Sequence, residues 1–141
     1  MKRANLMITV TVMLLSGLAA AQLRSDDKLV AQVPFEFMVA NRIVPAGQCE
    51  VRSAGATGRT LLLTHFGAKI GILVGTSLGE NKEAAGKYSL VFHQYGSQYF
   101  LSGIKLRGSR TTYRLPENKA EAEMRAQNVP VSTEVMLASR K

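Results

Sequence analysis

The 141-residue chain carries 46% hydrophobic side chains, 18 Lys and Arg against 10 Asp and Glu, a net charge of +8 and one cysteine. That length supports one domain with a real core and is too short for two well-buried ones. The single cysteine excludes an internal disulfide, and two histidines without C-x-x-C or H-E-x-x-H spacing exclude the usual zinc sites.

The chain opens with an export signal. Lys2 and Arg3 precede the apolar run from Leu6 to Leu15, followed by Gly17, Leu18, Ala19, Ala20 and Ala21. The small residues Ala19 and Ala21 place cleavage before Gln22, with residues 1–21 as signal peptide and the mature chain in the periplasm or outside the cell. The run falls short of the roughly 20 apolar residues of a spanning helix, so no integral membrane span is expected after cleavage. No cysteine follows the small residues, so a lipid-modified amino terminus is not indicated. Loss of Lys2 and Arg3 leaves 16 basic against 10 acidic side chains, or +6. This excess favours anionic surfaces, such as lipid headgroups or acidic polysaccharides, through attraction that salt weakens.

Residues 22–32 are polar and read as a flexible lead-in, with the folded domain spanning 33–141. Val33, Phe35, Phe37 and Val39 alternate with Pro34, Glu36, Met38 and Ala40, the period of a strand with one apolar face. Ile43 to Gly47 supplies turn chemistry through Pro45 and Gly47. A strand then runs from Gln48 to about Ser53, with Cys49 and Val51 inward and Gln48, Glu50 and Arg52 outward. Cys49 reads as a buried thiol behaving as a small hydrophobe, an intermolecular disulfide being the second reading. Ser53 to Gly58 is a small-residue loop, and Thr60–Thr64 and Lys69–Val74 form a hairpin through an exposed His65, Phe66 and Gly67. Gly75 to Gly86 is the longest unpatterned stretch and the expected mobile loop.

Tyr88–Gln94 and Gln98–Leu106 make the clearest hairpin, turning at Gly96-Ser97 and pairing Phe92 with Leu101 and His93 with Phe100. Leu90, Phe92, Tyr99 and Leu101 lie on one face and Val91, Phe100 and Ile104 on the other, so this hairpin is expected to be central and covered on both sides. Thr111–Leu115 is extended. Asn118 then caps a helix over Lys119–Gln127, with Glu121 at capping-box spacing, ion pairs Lys119–Glu123 and Glu121–Arg125, and Ala120 and Met124 toward the body. Pro130 stops it, and the alternation Val131, Thr133, Val135, Leu137 predicts a last strand. About eight short strands and one short C-terminal helix make a mainly β domain, a single antiparallel β-sandwich or a small β-barrel.

No catalytic constellation stands out. A hydrolytic triad needs a nucleophile, a base and an orienting carboxylate, and neither His93 nor His65 sits near a flagged nucleophile. Glu121 and Glu123 are accounted for by the helix, and the glycines at 67, 71, 75 and 79 lack a following GK[ST], so no phosphate loop is read. The expectation is no enzyme, no catalytic residues, no cofactor and no metal. Two surface features remain. Lys105, Arg107, Arg110 and Arg114 are the densest basic stretch, a candidate surface for an anionic partner, and Tyr95 and Tyr99 offer an aromatic one. Export argues against a nucleic-acid partner, and oligomeric state is left open.

Taken together, Val33-Pro34-Phe35-Glu36-Phe37-Met38-Val39, the turn Val44-Pro45-Ala46-Gly47, and Val91-Phe92-His93-Gln94-Tyr95-Gly96-Ser97-Gln98-Tyr99-Phe100-Leu101 resemble a group of small exported bacterial proteins of unknown function. The likeness covers most of the mature chain. Cys49 stands where that pattern has an aromatic residue, and Thr112 and Tyr113 depart from its Gly-Arg-Glu run before the helix. The resemblance implies an exported β-rich domain and carries over no activity, cofactor, partner or site residue. The leading expectation is a non-enzymatic exported module that binds or organises an envelope component. The alternatives are a small apolar-ligand carrier with a barrel pocket and, more weakly, a hydrolase using His93 or His65.

Overall fold

The computed structural model describes residues 28–140, apart from the side chains at 134, 135 and 137. The signal segment and its cleavage site lie outside the described residues. The elements in order are β1 (Lys28–Val33), β2 (Phe37–Val39), β3 (Arg42–Val44), β4 (Gly47–Ala54), β5 (Thr60–His65), β6 (Ile70–Gly75), β7 (Ser77–Glu80), β8 (Ser89–Tyr95), β9 (Gln98–Lys105), β10 (Thr111–Arg114), α1 (Lys119–Ala126), β11 (Val131–Leu137) and β12 (Ser139–Arg140).

One sheet has the order β12-β1-β4-β5-β6, the other β11-β8-β9-β10-β7, with β2 joined to β9 and β3 to β2. The sheets are not closed into a barrel, so of the two expected architectures the sandwich is the one formed. The chain changes sheet four times, between β1 and β2, between β3 and β4, between β6 and β7, and between β11 and β12. Leu29, Val51, Leu61 and Leu63 of the first sheet and Phe37, Leu90, Phe92 and Ile104 of the second are all essentially inaccessible to solvent and form one core cluster. Phe92 meets Phe37 and Phe35 edge to face, at 5.1 and 5.0 Å, an arrangement that aromatic quadrupoles favour.

Several expectations need correction. The lead-in is not free throughout: residues 28–33 form β1, paired along its whole length with β4 and burying Leu29, Ala31 and Val33. Its alternation was masked by the charged and amide side chains of Lys28 and Gln32, which point away from the core. The expected strand from Val33 to Val39 is two strands. Pro34 cannot donate to a ladder, and the chain leaves one sheet at Val33 and enters the other at Phe37. The alternation survives the break because both ends still point between the layers. A hairpin between β2 and β3 turns at Ala40 and Asn41, both with positive φ (49° and 64°), as in a type I′ turn. Neither is glycine, and Asn41, which tolerates positive φ, is the one local mark of this turn.

The expected loop from Gly75 to Gly86 contains β7, paired with β10 from Ser77 to Glu80. As a short edge strand with two small residues it lacks an alternating apolar signature. The hairpin β5–β6 forms as expected, and β8–β9 pairs Phe92 with Leu101 and His93 with Phe100, turning at Gly96 with φ 60°. A bulge sits between Val91 and Phe92: Val91 faces Gly103 while Phe92 faces Leu101, so Ser102 is the extra residue. That extra residue swings Ile104 onto the same face as Leu101, into the core rather than the opposite face expected from strict alternation.

Asn118 caps α1, its side-chain oxygen accepting from the Glu121 N–H at 2.7 Å. Glu121 does not pair with Arg125; Arg125 reaches Glu117 at 2.9 Å instead. The helix residue that is buried is Glu121 itself, while Ala120 and Met124 are only half-buried. Among the described residues no helix is long and apolar enough to cross a membrane.

Candidate functional site: a cleft on the outer face of the second sheet

The bulge and α1 together create a cleft of about 340 Å³ on the outer face of β8, β9 and β10. Val91, Ser102 and Gly103 line its floor, Leu115, Glu117 and Glu121 one flank, and Asn81, Lys105, Thr112 and Arg114 the other, with His93 at one end. Register explains the grouping. Val91, Gly103 and Arg114 lie in one row across the three strands, and Ser89, Lys105 and Thr112 in the next. Gly103 keeps the floor low, since a Cβ there would sit 3.3 Å from both the Thr112 methyl and the Tyr113 carbonyl.

The cleft holds two electrostatic regions. Lys105 and Arg114 form one, and neither makes an ion pair with any described acidic residue. The Arg114 guanidinium lies over the backbone of β7 at Gly79, where any Cβ would overlap it. At the other end, His93 Nδ1 is 2.7 Å from Glu121 Oε1, and the Tyr95 hydroxyl donates to the same oxygen at 3.2 Å. Glu121 is 5% exposed. An acceptor-only carboxylate on Nδ1 makes that nitrogen the protonated one in neutral imidazole and leaves Nε2 to the cleft. Burial, followed by the charge and hydrogen bond of Glu121, pushes the Tyr95 hydroxyl above its ordinary range.

The expected surfaces are rearranged accordingly. Of the basic stretch, only Lys105 and Arg114 share this cleft. Arg110 donates to the Asn81 carbonyl at 3.1 Å, and Arg107 borders a separate open hollow with Lys87 and Tyr88. The four residues are therefore not one patch: Lys105 ends β9 and Arg114 ends β10 on the same face of the sheet, while Arg107 and Arg110 belong to the loop that joins the two strands. Tyr95 and Tyr99 do not form an aromatic surface either. Tyr95 is buried beside Phe100, with ring centroids 5.7 Å apart. Tyr99 leaves the other face and stacks on Phe35 at 3.7 Å.

His65, expected at an exposed turn, is buried. Its Nδ1 accepts from the Ala68 N–H at 2.9 Å and its Nε2 donates to the Ala46 carbonyl at 3.1 Å. The ring staples two turns and has no free nitrogen for acid–base work. Cys49 is fully buried, which places its thiol out of reach of a second chain, and burial pushes its pKa up to about 11. Glu50, expected to face outward into solvent, is nearly covered, with Lys28 Nζ 3.8 Å away. Among the described residues there is no group of three or more His, Cys, Asp or Glu side chains placed to hold a metal ion.

The pairing of His93 with Glu121 was not legible in the sequence, because 28 positions separate them. The one available signal was the spacing from Asn118, which fixes where the helix begins and so which acidic residue faces the sheet.

No family model, no curated protein and no solved structure matches the chain.

Proposed function

We propose that the protein is exported, loses residues 1–21, and works as a non-enzymatic module that binds an anionic component of the cell envelope in the cleft on the second sheet. The observation that carries this reading is the pair Lys105 and Arg114, two cations in one concave site of which neither makes an ion pair with a described carboxylate, while Glu117 and Glu121 on the opposite flank are engaged by Arg125 and by His93 and Tyr95. Charges gathered in one concave site without an ion-pair partner attract a counter-charge more strongly than the same charges scattered on a convex surface. The leader pattern of Lys2, Arg3 and the following apolar run supports an envelope setting.

Two features favour this over the alternatives. The space between the sheets is filled by Phe37, Phe92, Leu61, Leu63 and their neighbours, which argues against a carrier with an apolar interior. Ser102, the serine lining the cleft, donates its hydroxyl to the Val91 carbonyl at 3.2 Å rather than to His93, which argues against a nucleophile activated by that histidine.

The test is co-sedimentation of the chain from Gln22 onward, which includes every described strand, with isolated envelope fractions at low and high salt. Binding that falls with salt, and falls again in Lys105→Ala and Arg114→Ala but not in Arg110→Ala, is the expected result. Binding that ignores salt and both cleft variants would remove the basis for the reading.

A further inference from the structure

We propose that the cleft is a saccharide subsite, built for one sugar unit that carries a carboxylate or phosphate. The inference rests on the anion-binding reading above and names the class of ligand.

The shape of the charge distribution comes first. Lys105 faces Ser89 across the ladder, and His93 lies four residues further along β8, which separates their backbone positions by roughly 13 Å at a strand's rise per residue. Arg114 starts midway and leans over Gly79, in the row of Lys105. The cationic end and the histidine end are therefore the two poles of one elongated site. A bare inorganic anion held by Lys105 and Arg114 would leave the remainder of the cleft unused. A volume of about 340 Å³ holds on the order of eleven waters, room for one sugar unit with an acidic substituent and the waters around it.

The lining between the poles then selects the body of the ligand. It has the Asn81 amide, which donates one N–H to the Thr112 hydroxyl and keeps its oxygen and second N–H, the Ser102 hydroxyl, which donates to the Val91 carbonyl and keeps its acceptor sites, and only two aliphatic side chains, Val91 and Leu115. An acyl chain needs an apolar lining, and a nucleobase needs an aromatic platform. No aromatic ring lines this cleft, since Tyr95 is buried beside Phe100 and Tyr99 leaves the opposite face, and the two aliphatic side chains are too few to cover an acyl chain. Side chains that both donate and accept match hydroxyl groups, which do the same. Gly103 supplies a flat floor on which a ring can lie.

At the far pole, Glu121 and Tyr95 hold the His93 ring by Nδ1, so Nε2 meets the ligand as an acceptor in neutral imidazole. Glu117 borders the same end, with its charge engaged by Arg125. A ring hydroxyl donating to Nε2, with the acidic substituent at Arg114 and Lys105, satisfies both poles at once. His93 is then a positioning residue for the sugar, and the two cations are the anion site.

Isothermal titration calorimetry with four probes tests this: glucuronate, glucose 6-phosphate, glucose and inorganic sulfate. The expected result is binding of one or both acidic sugars, with glucose and sulfate weaker by about tenfold or more, the ratio one unmatched polar or charged contact produces. The better of the two acidic sugars identifies carboxylate or phosphate as the source of charge. His93→Ala should weaken the acidic sugar by roughly three- to tenfold and leave sulfate unchanged, His93→Gln should recover part of the loss, and Arg114→Ala should abolish binding of both. Sulfate binding as tightly as the acidic sugars, or His93→Ala without effect on them, overturns the saccharide inference while leaving the anion reading intact. If neither acidic sugar binds, yet Lys105→Ala and Arg114→Ala still weaken envelope binding, the saccharide inference again fails alone. Envelope binding insensitive to salt and to both cationic variants removes the underlying reading and the inference with it.

Discussion

Replacing Glu121 should cost stability and change which nitrogen of His93 carries the proton. In the native protein one buried carboxylate oxygen accepts from His93 Nδ1 at 2.7 Å and from the Tyr95 hydroxyl at 3.2 Å. The first bond is charge-assisted, worth about 1.5–3 kcal/mol, and the second contributes about 1 kcal/mol. Alanine removes both and leaves the buried Tyr95 hydroxyl without its acceptor, offset by a few tenths of a kcal/mol of helix propensity. Glu121→Ala is therefore expected to lose about 2–4 kcal/mol, and Glu121→Gln about 1–2 kcal/mol, since the amide retains one acceptor. In Glu121→Gln the amide oxygen can stand where Oε1 stood and accept both bonds, so the imidazole proton stays on Nδ1, whereas in Glu121→Ala Nδ1 loses its acceptor and the proton is free to move to Nε2, turning the cleft-facing nitrogen from acceptor to donor. Urea denaturation followed by far-UV circular dichroism measures the first effect, as the chain has no tryptophan. Nitrogen-15 shifts of the imidazole measure the second. A cycle combining Glu121→Ala with Tyr95→Phe should show coupling near 1 kcal/mol. Additive losses, or a Glu121→Ala cost below about 0.5 kcal/mol, the ordinary range of a surface change, would refute the claim that this carboxylate organises the histidine.

The remaining expectations concern other parts of the sandwich. Gly47→Ala should destabilise by about 2–4 kcal/mol, because a φ of 143° is strained for any residue with a Cβ and the added carbon would lie 2.7 Å from His65 Nε2; placing it in a His65→Ala background should recover the clash but not the backbone strain. Cys49, held at about 11 by burial against an ordinary 9.0, stays a neutral thiol in the fold. The unfolded chain ionises first as pH rises, so stability is intact below pH 9 and falls between pH 9 and 11 by up to about 2.7 kcal/mol. A Cys49→Ala variant should lack that part of the slope in urea midpoints, and the native thiol should resist alkylation at pH 8 until the protein unfolds. Ile104→Ala should cost about 2–5 kcal/mol by chemical denaturation, as a core position that exists only because of the bulge. Leu73→Lys, on the exposed outer side of edge strand β6, should leave stability within about 0.5 kcal/mol and reduce aggregation on heating.

The β-class and the central hairpin were legible because alternation and the Gly96-Ser97 turn act locally. The helix was legible for the same reason: Asn118 and Pro130 bound it from either side. What stayed hidden is non-local. Ile104 changes face because of a pairing irregularity opposite Val91, which periodicity within one strand cannot register. Glu121 looked like a surface partner of Arg125, and it became the keystone of the site only when α1 packed across β8 and met His93 and Tyr95. The cationic pair emerged likewise from four evenly suspected residues, once the strand register had sorted Lys105 and Arg114 to one face.

Arg140 of β12 pairs with Leu29 of β1, and β11 immediately before it pairs with β8 of the other sheet. Partners that far apart in the chain are the slowest contacts to form. During synthesis β1 can pair with β4 early, but its other edge stays open until β12 has been made. The closing segment thus acts as a clasp on the whole sandwich. A carboxy-terminal tag or a deletion of a few residues should disturb the maturation of this protein far more than a comparable change in the loop at residues 55–59.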